Sequence, residues 1–129
     1  MTEPKVANPS IREQVMACCR ALDDKKAENI RVLHMGALSS IADYFIIATG
    51  AAEPHLRALA IEVEKTLDDM KIEILGVDRS TKSGWVVVDA FDFIVHLFTE
   101  DTRKYYQLET LWRDAKVVEP ELNPPAPRS

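Results

Sequence analysis

Residues 84–98 limit the fold most strongly, because this stretch is dense in β-branched and aromatic side chains. Such residues favour strands over helices, and a short polar interruption divides the stretch in two, which predicts a β-hairpin. A two-residue loop formed by Ala90 and Phe91 would set the pairing of the two strands. The pairs predicted to face each other are Trp85 with His96, Val87 with Ile94, and Asp89 with Asp92.

The predicted hairpin has two different faces, because side chains alternate across a strand. One face is purely apolar and is expected to pack against helices; its residues are Val86, Val88, Phe93 and Val95. The other face is mixed and carries a Trp, a His, two aliphatic residues and two carboxylates. A mixed face serves either as a covered face of the sheet or as a docking surface for a partner, and the alternation alone leaves both open.

Three segments have the patterns of helices. The first follows a capping box of Ser10 and Glu13, in which each residue satisfies an unpaired backbone amide of the other. The second has Pro54 in its first turn, where the missing amide costs nothing. The third begins at Thr99, and acidic residues follow at its positive end.

Strands are predicted at residues 29–35, 43–49 and 72–77, in addition to the hairpin. The second is continuously apolar, which is typical of a central strand buried on both faces. Strand, helix and strand in succession indicate a right-handed parallel crossover. The order α-β-β-α-β-β-β-α predicts an α/β (α+β) fold: a single domain with a five-stranded mixed sheet and helices mainly on one face.

Both ends of the chain are predicted to lie outside the folded domain. Residues 1–9 are short, polar and proline-containing, which indicates a flexible N-terminus. Residues 116–129 hold four of the seven prolines, which indicates a disordered proline-rich tail. The folded domain is therefore predicted to span residues 10–115.

The composition restricts the class of partner. With a formal net charge of −5, the chain lacks the basic stripe needed for an electrostatic grip on bare nucleic acid. An acidic protein can still reach a ribonucleoprotein by docking on one of its basic proteins. The sequence has no apolar run of the roughly 20 residues that span a membrane. The adjacent Cys18 and Cys19 are expected to be reduced, so a cytoplasmic location is predicted.

Asp89 and Asp92 are the candidates for an enzymatic site, as a metal pair or an acid–base pair. We favour turn chemistry instead, since Asp in turns bonds its own backbone. A nucleotidyl-transfer site usually has two acidic residues separated by one residue after a Gly-Ser turn, and this chain has neither feature. His34 and His55 are too scattered to indicate a metal site.

The aromatic residues give a different type of candidate. His96 has no neighbouring nucleophile, and such a His more often pairs with an aromatic residue across the ladder, here Trp85. Trp is enriched at interface hot spots, although core packing accounts for Trp85 equally well. Tyr105 and Tyr106 are adjacent, so one helix face cannot bury both, and one is expected to face solvent or a partner.

Several motifs resemble the ribosomal silencing factor S family, also called Iojap-like proteins. They occur in the family's order and together cover about residues 10–115. The matching features are Lys26-Ala27 with Ile30, ADYFIIATG at 42–50, His55, the region of Val63 and Glu64, WVVVD at 85–89, Asp92, Val95-His96 and RKYYQLETLW at 103–112.

The resemblance implies a non-enzymatic role without a cofactor. Family members dock on ribosomal protein fourteen of the large subunit and block joining of the small subunit, which lowers translation when nutrients are scarce. Relatives in organelles are associated with assembly of the large subunit. The resemblance also implies a fold similar to a nucleotidyltransferase core that lacks the catalytic residues, and self-association as a homodimer.

This chain departs from the family pattern in two places. Ala51 and Ala52 stand where Ser or Thr usually follows Thr-Gly, which predicts weaker or shifted helix capping. Phe91 stands where the family usually has Gly in the hairpin turn. Because Phe disfavours positive φ, this residue makes the two-residue loop and its facing pairs less secure.

We interpret the mixed face as the docking surface for the ribosomal protein. The predicted contact residues are Trp85 as central anchor, Val87, Ile94 and His96 around it, Asp89 and Asp92 opposite basic groups, and Lys25 and Tyr105 at the rim. The alternative function is a divalent-metal-dependent nucleotidyl-transfer enzyme, or a nucleotide-binding domain, that uses Asp89 and Asp92.

Overall fold

Two long helices form one layer of the fold in the computed structural model, which describes residues 10–79 and 81–122. Helix α1 spans Ile11–Asp24 and begins at the predicted capping box. The Glu13 amide donates to Ser10 Oγ at 3.1 Å, and the Ser10 amide donates to Glu13 Oε1 at 2.9 Å. Helix α2 spans Glu53–Asp69 and has Pro54 in its first turn, as predicted.

A histidine side chain holds the start of α2 in place. Its N-cap residue, Ala52, makes no side-chain hydrogen bond, in agreement with the predicted weak capping. Instead, the Ala51 amide donates to His55 Nδ1 at 2.8 Å. The hydrogen of this ring is then on Nε2, which donates to the Lys25 carbonyl oxygen at 2.7 Å. Since Lys25 is the C-cap of α1, His55 joins the end of one helix to the start of the next.

The sheet is mixed, as predicted, but the described part of the chain forms six strands rather than five. The strands are β1 (Glu28–His34), β2 (Tyr44–Gly50), β3 (Gly76–Asp78), β4 (Trp85–Asp89), β5 (Phe93–Thr99) and β6 (Lys116–Val118). Their order across the sheet is β3-β4-β5-β2-β1-β6. Only β2 and β5 pair in parallel, and the other neighbours are antiparallel.

The central strand is β2, buried along nearly its whole length, as its apolar sequence predicts. Strand β3 is shorter than predicted and begins only at Gly76. It runs in the same direction as β2, although β4 and β5 lie between them. The predicted parallel crossover therefore spans two intervening strands.

Strand β6 lies in the segment that we predicted to be a tail. Lys116, Val117 and Val118 pair antiparallel with the last residues of β1. Composition averaged over the whole tail concealed these residues, because the prolines begin only at Pro120. The predictions for residues 1–9 and 123–129 lie outside the described residues.

The predicted register of the hairpin is wrong. The turn is centred on Phe91 and Asp92, and the Ala90 amide donates to the Phe93 carbonyl oxygen at 3.0 Å. Phe91 nevertheless adopts φ +73°, the conformation that a bulky side chain disfavours. The observed pairs are Trp85 with Phe98, Val87 with His96, and Asp89 with Ile94. Each partner moves by two positions, an even number, so the strand residues stay on their predicted faces, and only Asp92 leaves the mixed face for the turn.

The apolar face of the sheet packs under α1 and α2. Buried residues of this layer include Val15, Leu22, Leu59, Val63, Val86, Val88 and Val95. A second buried cluster lies on the opposite face and includes Leu33, Phe45, Ile47, Ile94 and Phe98. Helices therefore lie mainly on one face, as predicted, but the second face also has a partial cover.

That partial cover is the C-terminal helical segment. The single third helix of our prediction is broken into α3 (Glu100–Tyr106) and α4 (Leu108–Leu111). Gln107 separates them with φ +48°, in the left-handed region. Short 3-10 turns occur at Gly36–Leu38 and Thr81–Ser83. No helix within the described ranges has both the length and the apolar character needed to cross a membrane.

The close approach of Gly84 to α3 gives a stability prediction. Gly84 has φ +77°, and an added Cβ would lie 2.9 Å from Thr99 Oγ1 and even closer to Thr102 Oγ1. Gly84→Ala is therefore expected to lower the free energy of unfolding by about 2–4 kcal/mol, through backbone strain and steric overlap. Equilibrium urea unfolding followed by tryptophan fluorescence measures the change.

Gly36→Ala is the matched control. Gly36 also has a positive φ, +53°, but an added Cβ would meet nothing within 4 Å. This variant carries only the backbone strain and should cost about 1 kcal/mol. Equal costs for the two variants would contradict the assigned contact between Gly84 and α3.

Candidate functional site

Trp85 is the centre of an aromatic cluster on the sheet face opposite α1 and α2. Its ring centroid lies 4.7 Å from that of Tyr106, 5.0 Å from Phe98 and 5.8 Å from His96. Phe98 and His96 are buried, Trp85 is half-buried and Tyr106 is 48% exposed. We call these four residues the aromatic face. It has a buried aromatic floor and an accessible upper surface.

A hydrogen bond fixes the indole of Trp85. The Nε1–H group donates to His96 Nδ1 at 3.1 Å, which confirms the predicted contact between these side chains. His96 Nδ1 must therefore be unprotonated, and the hydrogen is on Nε2, a buried atom without a partner among the described residues. Burial lowers the pKa of His96 to about 4. His96 is thus a neutral support for Trp85 and is not arranged as a general base.

The edge of His96 also contacts an aromatic neighbour. Its ring meets Phe45 at 4.8 Å with an interplanar angle of 65°. Trp112 also packs edge-to-face with Phe45, at 6.0 Å. These contacts extend the aromatic face into the second buried cluster, where Leu108 also packs. The segment around α4 thereby covers part of the mixed face.

The predicted contact residues consequently differ in exposure. His96 is 7% exposed and Ile94 is 8% exposed, so both lie under the cover of the chain itself. Trp85, Val87 and Asp89 are half-buried along β4. The part of the mixed face open to a partner is therefore the strip along β4, together with the neighbouring surface of α3.

Asp89 and Asp92 do not form the pair that the sequence indicated. Asp89 lies opposite Ile94, and Asp92 is in the turn itself. Asp89 Oδ1 accepts a hydrogen bond from the Phe91 amide at 2.9 Å, which is the turn chemistry that we favoured. Among the described residues, no group of three or more His, Cys, Asp or Glu side chains is placed to hold a metal ion.

The two rim candidates have different positions. Tyr105 is 80% exposed, and its ring meets Tyr106 edge-to-face at 5.0 Å. It therefore extends the aromatic face outward. Lys25 is at the end of α1, in the helical layer that packs on the other face of the sheet. The structure does not bring Lys25 to the aromatic face.

Sequence reasoning missed a charged network that holds the broken helix. Arg103 donates to both carboxylate oxygens of Glu109, at 2.9 and 3.0 Å. Its Nη1 also donates to Thr49 Oγ1 at 2.8 Å and to the Asn29 carbonyl oxygen at 2.7 Å. The Arg103 side chain is only 13% exposed. The network thus ties α3 and α4 to β1 and β2, around a cleft of about 320 Å³.

A second arginine completes this network. Arg31 Nε lies 3.0 Å from Glu109 Oε2. The hydrogen bonds from Arg103, reinforced by the charges of both arginines, hold the pKa of the Glu109 carboxyl below its usual value. Arg103 and Glu109 are six positions apart, which matches no helical pairing rule. Only the break at Gln107 brings them together, so periodicity could not have found the pair.

The buried His96 gives a prediction for the pH dependence of stability. The unfolded state binds the proton below about pH 6.5 and the folded state only below about 4, so stability falls as the pH falls through this window. The contribution of His96 to this loss is about 3 kcal/mol. Urea unfolding at several pH values between 4 and 7 should show a shallower pH dependence for His96→Gln than for the wild type.

The comparison uses slopes because the replacement also removes the contact with Trp85. Glu109 remains in both proteins and contributes equally to each slope. Parallel pH profiles for the two proteins would show that His96 is not buried in its neutral form.

Comparisons with known proteins agree with this architecture. The family model described as "Ribosomal silencing factor during starvation" matches residues 8–129. A ribosomal silencing factor from Halalkalibacterium halodurans is 41% identical over 112 residues, which is 87% of this chain and 96% of that protein. A crystal structure of a protein from Chromobacterium violaceum has a TM-score of 0.77 and 31% identity, with 88% of this chain and 94% of that chain covered.

A more distant relative is the mouse protein named "Mitochondrial assembly of ribosomal large subunit protein 1". It is 28% identical over 94 residues, which is 70% of this chain and 41% of that protein. The family match includes the strip along β4, the aromatic face and the charged network that supports it. From this match and from the similarity to the bacterial relatives, we conclude that the chain belongs to the ribosomal silencing factor family.

Proposed function

We propose that the protein represses translation by docking on ribosomal protein fourteen of the large subunit, which blocks joining of the small subunit. The observation that carries this proposal is the accessible aromatic surface of Trp85, Tyr106 and Tyr105, supported by a rigid buried floor. The membership in the ribosomal silencing factor family directs the proposal to the ribosome.

The physical properties of this surface suit a protein partner. Trp and Tyr bury large areas at a low cost in side-chain entropy, and both are enriched at interface hot spots. Because Trp85 is already fixed by His96 and Phe98, little further ordering is required when a partner binds. Preorganisation of this type favours affinity without a large interface.

The negative charge of the protein favours a basic partner. The chain has a formal net charge of −5, and Asp89 lies on the same strip as Trp85. A basic ribosomal protein would be attracted to such a surface, mainly through a faster association. Asp92 at the turn adds to the same field at the end of the strip.

The positions of the carboxylates do not favour the nucleotidyl-transfer alternative. Asp89 and Asp92 are not opposite each other, and one oxygen of Asp89 is engaged by the turn. A role in assembly of the large subunit is a second candidate, since the name of the mouse relative states that role for that protein. The same docking surface would serve both roles.

Co-sedimentation with isolated large ribosomal subunits tests the docking surface. Trp85→Ala and Tyr105→Ala are each expected to weaken binding, Trp85→Ala by about tenfold or more, as for a central hot spot. Tyr105 is 80% exposed, so its removal should leave the fold intact. The variants that lose binding should also lose inhibition in a subunit-joining assay.

Ile61→Ala is the matched control, because Ile61 is 53% exposed but lies on α2 in the other layer. Circular dichroism checks the fold of each variant, and light scattering of each protein alone detects a homodimer. If both variants bind large subunits as tightly as the wild type, the interface lies elsewhere on the protein. Failure of the wild type to bind at micromolar concentration and low salt would overturn the proposed function.

A further inference from the structure

The hairpin turn contains a residue that the fold alone does not explain. Phe91 has φ +73°, a conformation that bulky L-residues rarely adopt, and its side chain is 64% exposed. The backbone is thus strained, while little apolar surface is buried in return. Strained residues of this type cluster at functional positions. The strain and the exposure together point to a role outside the folding of the chain.

Phe91 is the common wall of two clefts at this end of the sheet. The larger cleft has a volume of about 360 Å³ and is also lined by Met70, Ile72 and Leu75. The smaller cleft has a volume of about 180 Å³, and its opposite wall includes Ile41. We call Ile41, Leu75 and Phe91 the turn patch, and all three are more than half exposed. Neighbouring exposed apolar residues of this kind are typical of interaction sites.

The rim of the turn patch is acidic. Glu73 and Asp92 line the larger cleft, and Asp43 and Asp92 line the smaller one. Lys71 is the one cationic residue among the described residues that line them. Met70, the C-cap of α2, also lines the larger cleft and brings the negative end of that helix to the rim.

We propose that the turn patch is a second docking surface, for a basic protein segment. The segment would place an apolar side chain beside Phe91 and Lys or Arg side chains against Asp43, Glu73 and Asp92. This inference rests on the proposed function, because the segment would belong to a protein of the large ribosomal subunit. The patch continues the strip along β4, since Phe91 lies two residues beyond Asp89, the last residue of that strand.

The acidic rim decides between possible occupants. RNA phosphates would be repelled by the three carboxylates, although an exposed aromatic ring alone would suit a base. A second copy that used the same patch in a symmetric contact would place like charges opposite each other. A basic protein segment satisfies both the apolar centre and the charged rim.

Phe91→Gly tests the turn patch without destabilising the fold, so a loss of binding cannot be attributed to unfolding. Gly adopts positive φ without strain, so this variant should unfold at the same temperature as the wild type or a higher one. Its affinity for isolated large ribosomal subunits should nevertheless fall by about tenfold. Asp92→Asn should slow association and reduce its dependence on salt. Ile61→Ala on α2 is again the control and should bind like the wild type.

Crosslinking identifies what meets the patch. A photo-reactive phenylalanine analogue at position 91 should crosslink to a basic ribosomal protein on isolated large subunits, and the same analogue at position 61 should not. Crosslinks to ribosomal RNA alone, or to a second copy of the chain, would overturn the proposal. The proposal would also be overturned if Phe91→Gly bound large subunits with the affinity of the wild type.

The two proposals fail in different ways. If Trp85→Ala loses binding while Phe91→Gly keeps it, the turn patch is not a docking surface and the proposed function stands. If the wild-type protein does not bind large subunits, the proposed function fails, and the turn patch loses its assigned partner with it.

Discussion

The parallel pairing of β2 with β5 is the constraint on which the rest of the fold depends. Seven pairs join these strands, from Tyr44 with Phe93 to Gly50 with Thr99, and nearly all of their residues are buried. A strand pair buried on both faces needs cover on both faces. Helices α1 and α2 cover one side, and α3 and α4 partly cover the other. The open part of the mixed face is therefore the strip along the neighbouring β4, where Trp85 is half-buried beside Tyr106 of α3.

The Arg103–Glu109 pair determines where that cover ends. A guanidinium that is only 13% exposed would be costly without partners, but Arg103 has a bidentate carboxylate and two further acceptors. These bonds hold the chain on both sides of the break at Gln107 against β1 and β2. Tyr106, which ends α3, is thereby placed over Trp85. This structural ion pair thus helps to fix the position of Tyr106 beside Trp85 on the proposed docking surface.

The sequence predicted the faces of the hairpin better than its turn. The period of two along β4 and β5 survives an even shift in register, so the residues of each face were predictable even though the pairs were not. The turn was not predictable, because φ +73° at a Phe contradicts the usual preference for Gly or Asn. The burial of His96 comes from tertiary packing that includes Phe45 on β2, which no local pattern indicated. Packing of other elements onto this face, rather than the alternation of side chains along the strands, determines which of its residues are buried and which are accessible.

The hydrogen bond between Trp85 and His96 limits the kind of partner that this surface can recognise. The single donor of the indole is used inside the protein, so a partner meets only the π surface and the apolar edge of the ring. Such a surface attracts aliphatic groups and cations, in particular Arg and Lys placed over the ring. The half-buried Asp89 farther along β4 adds a negative charge to the same strip. Apolar contact and cation–π attraction therefore act on the same type of partner, a basic protein surface.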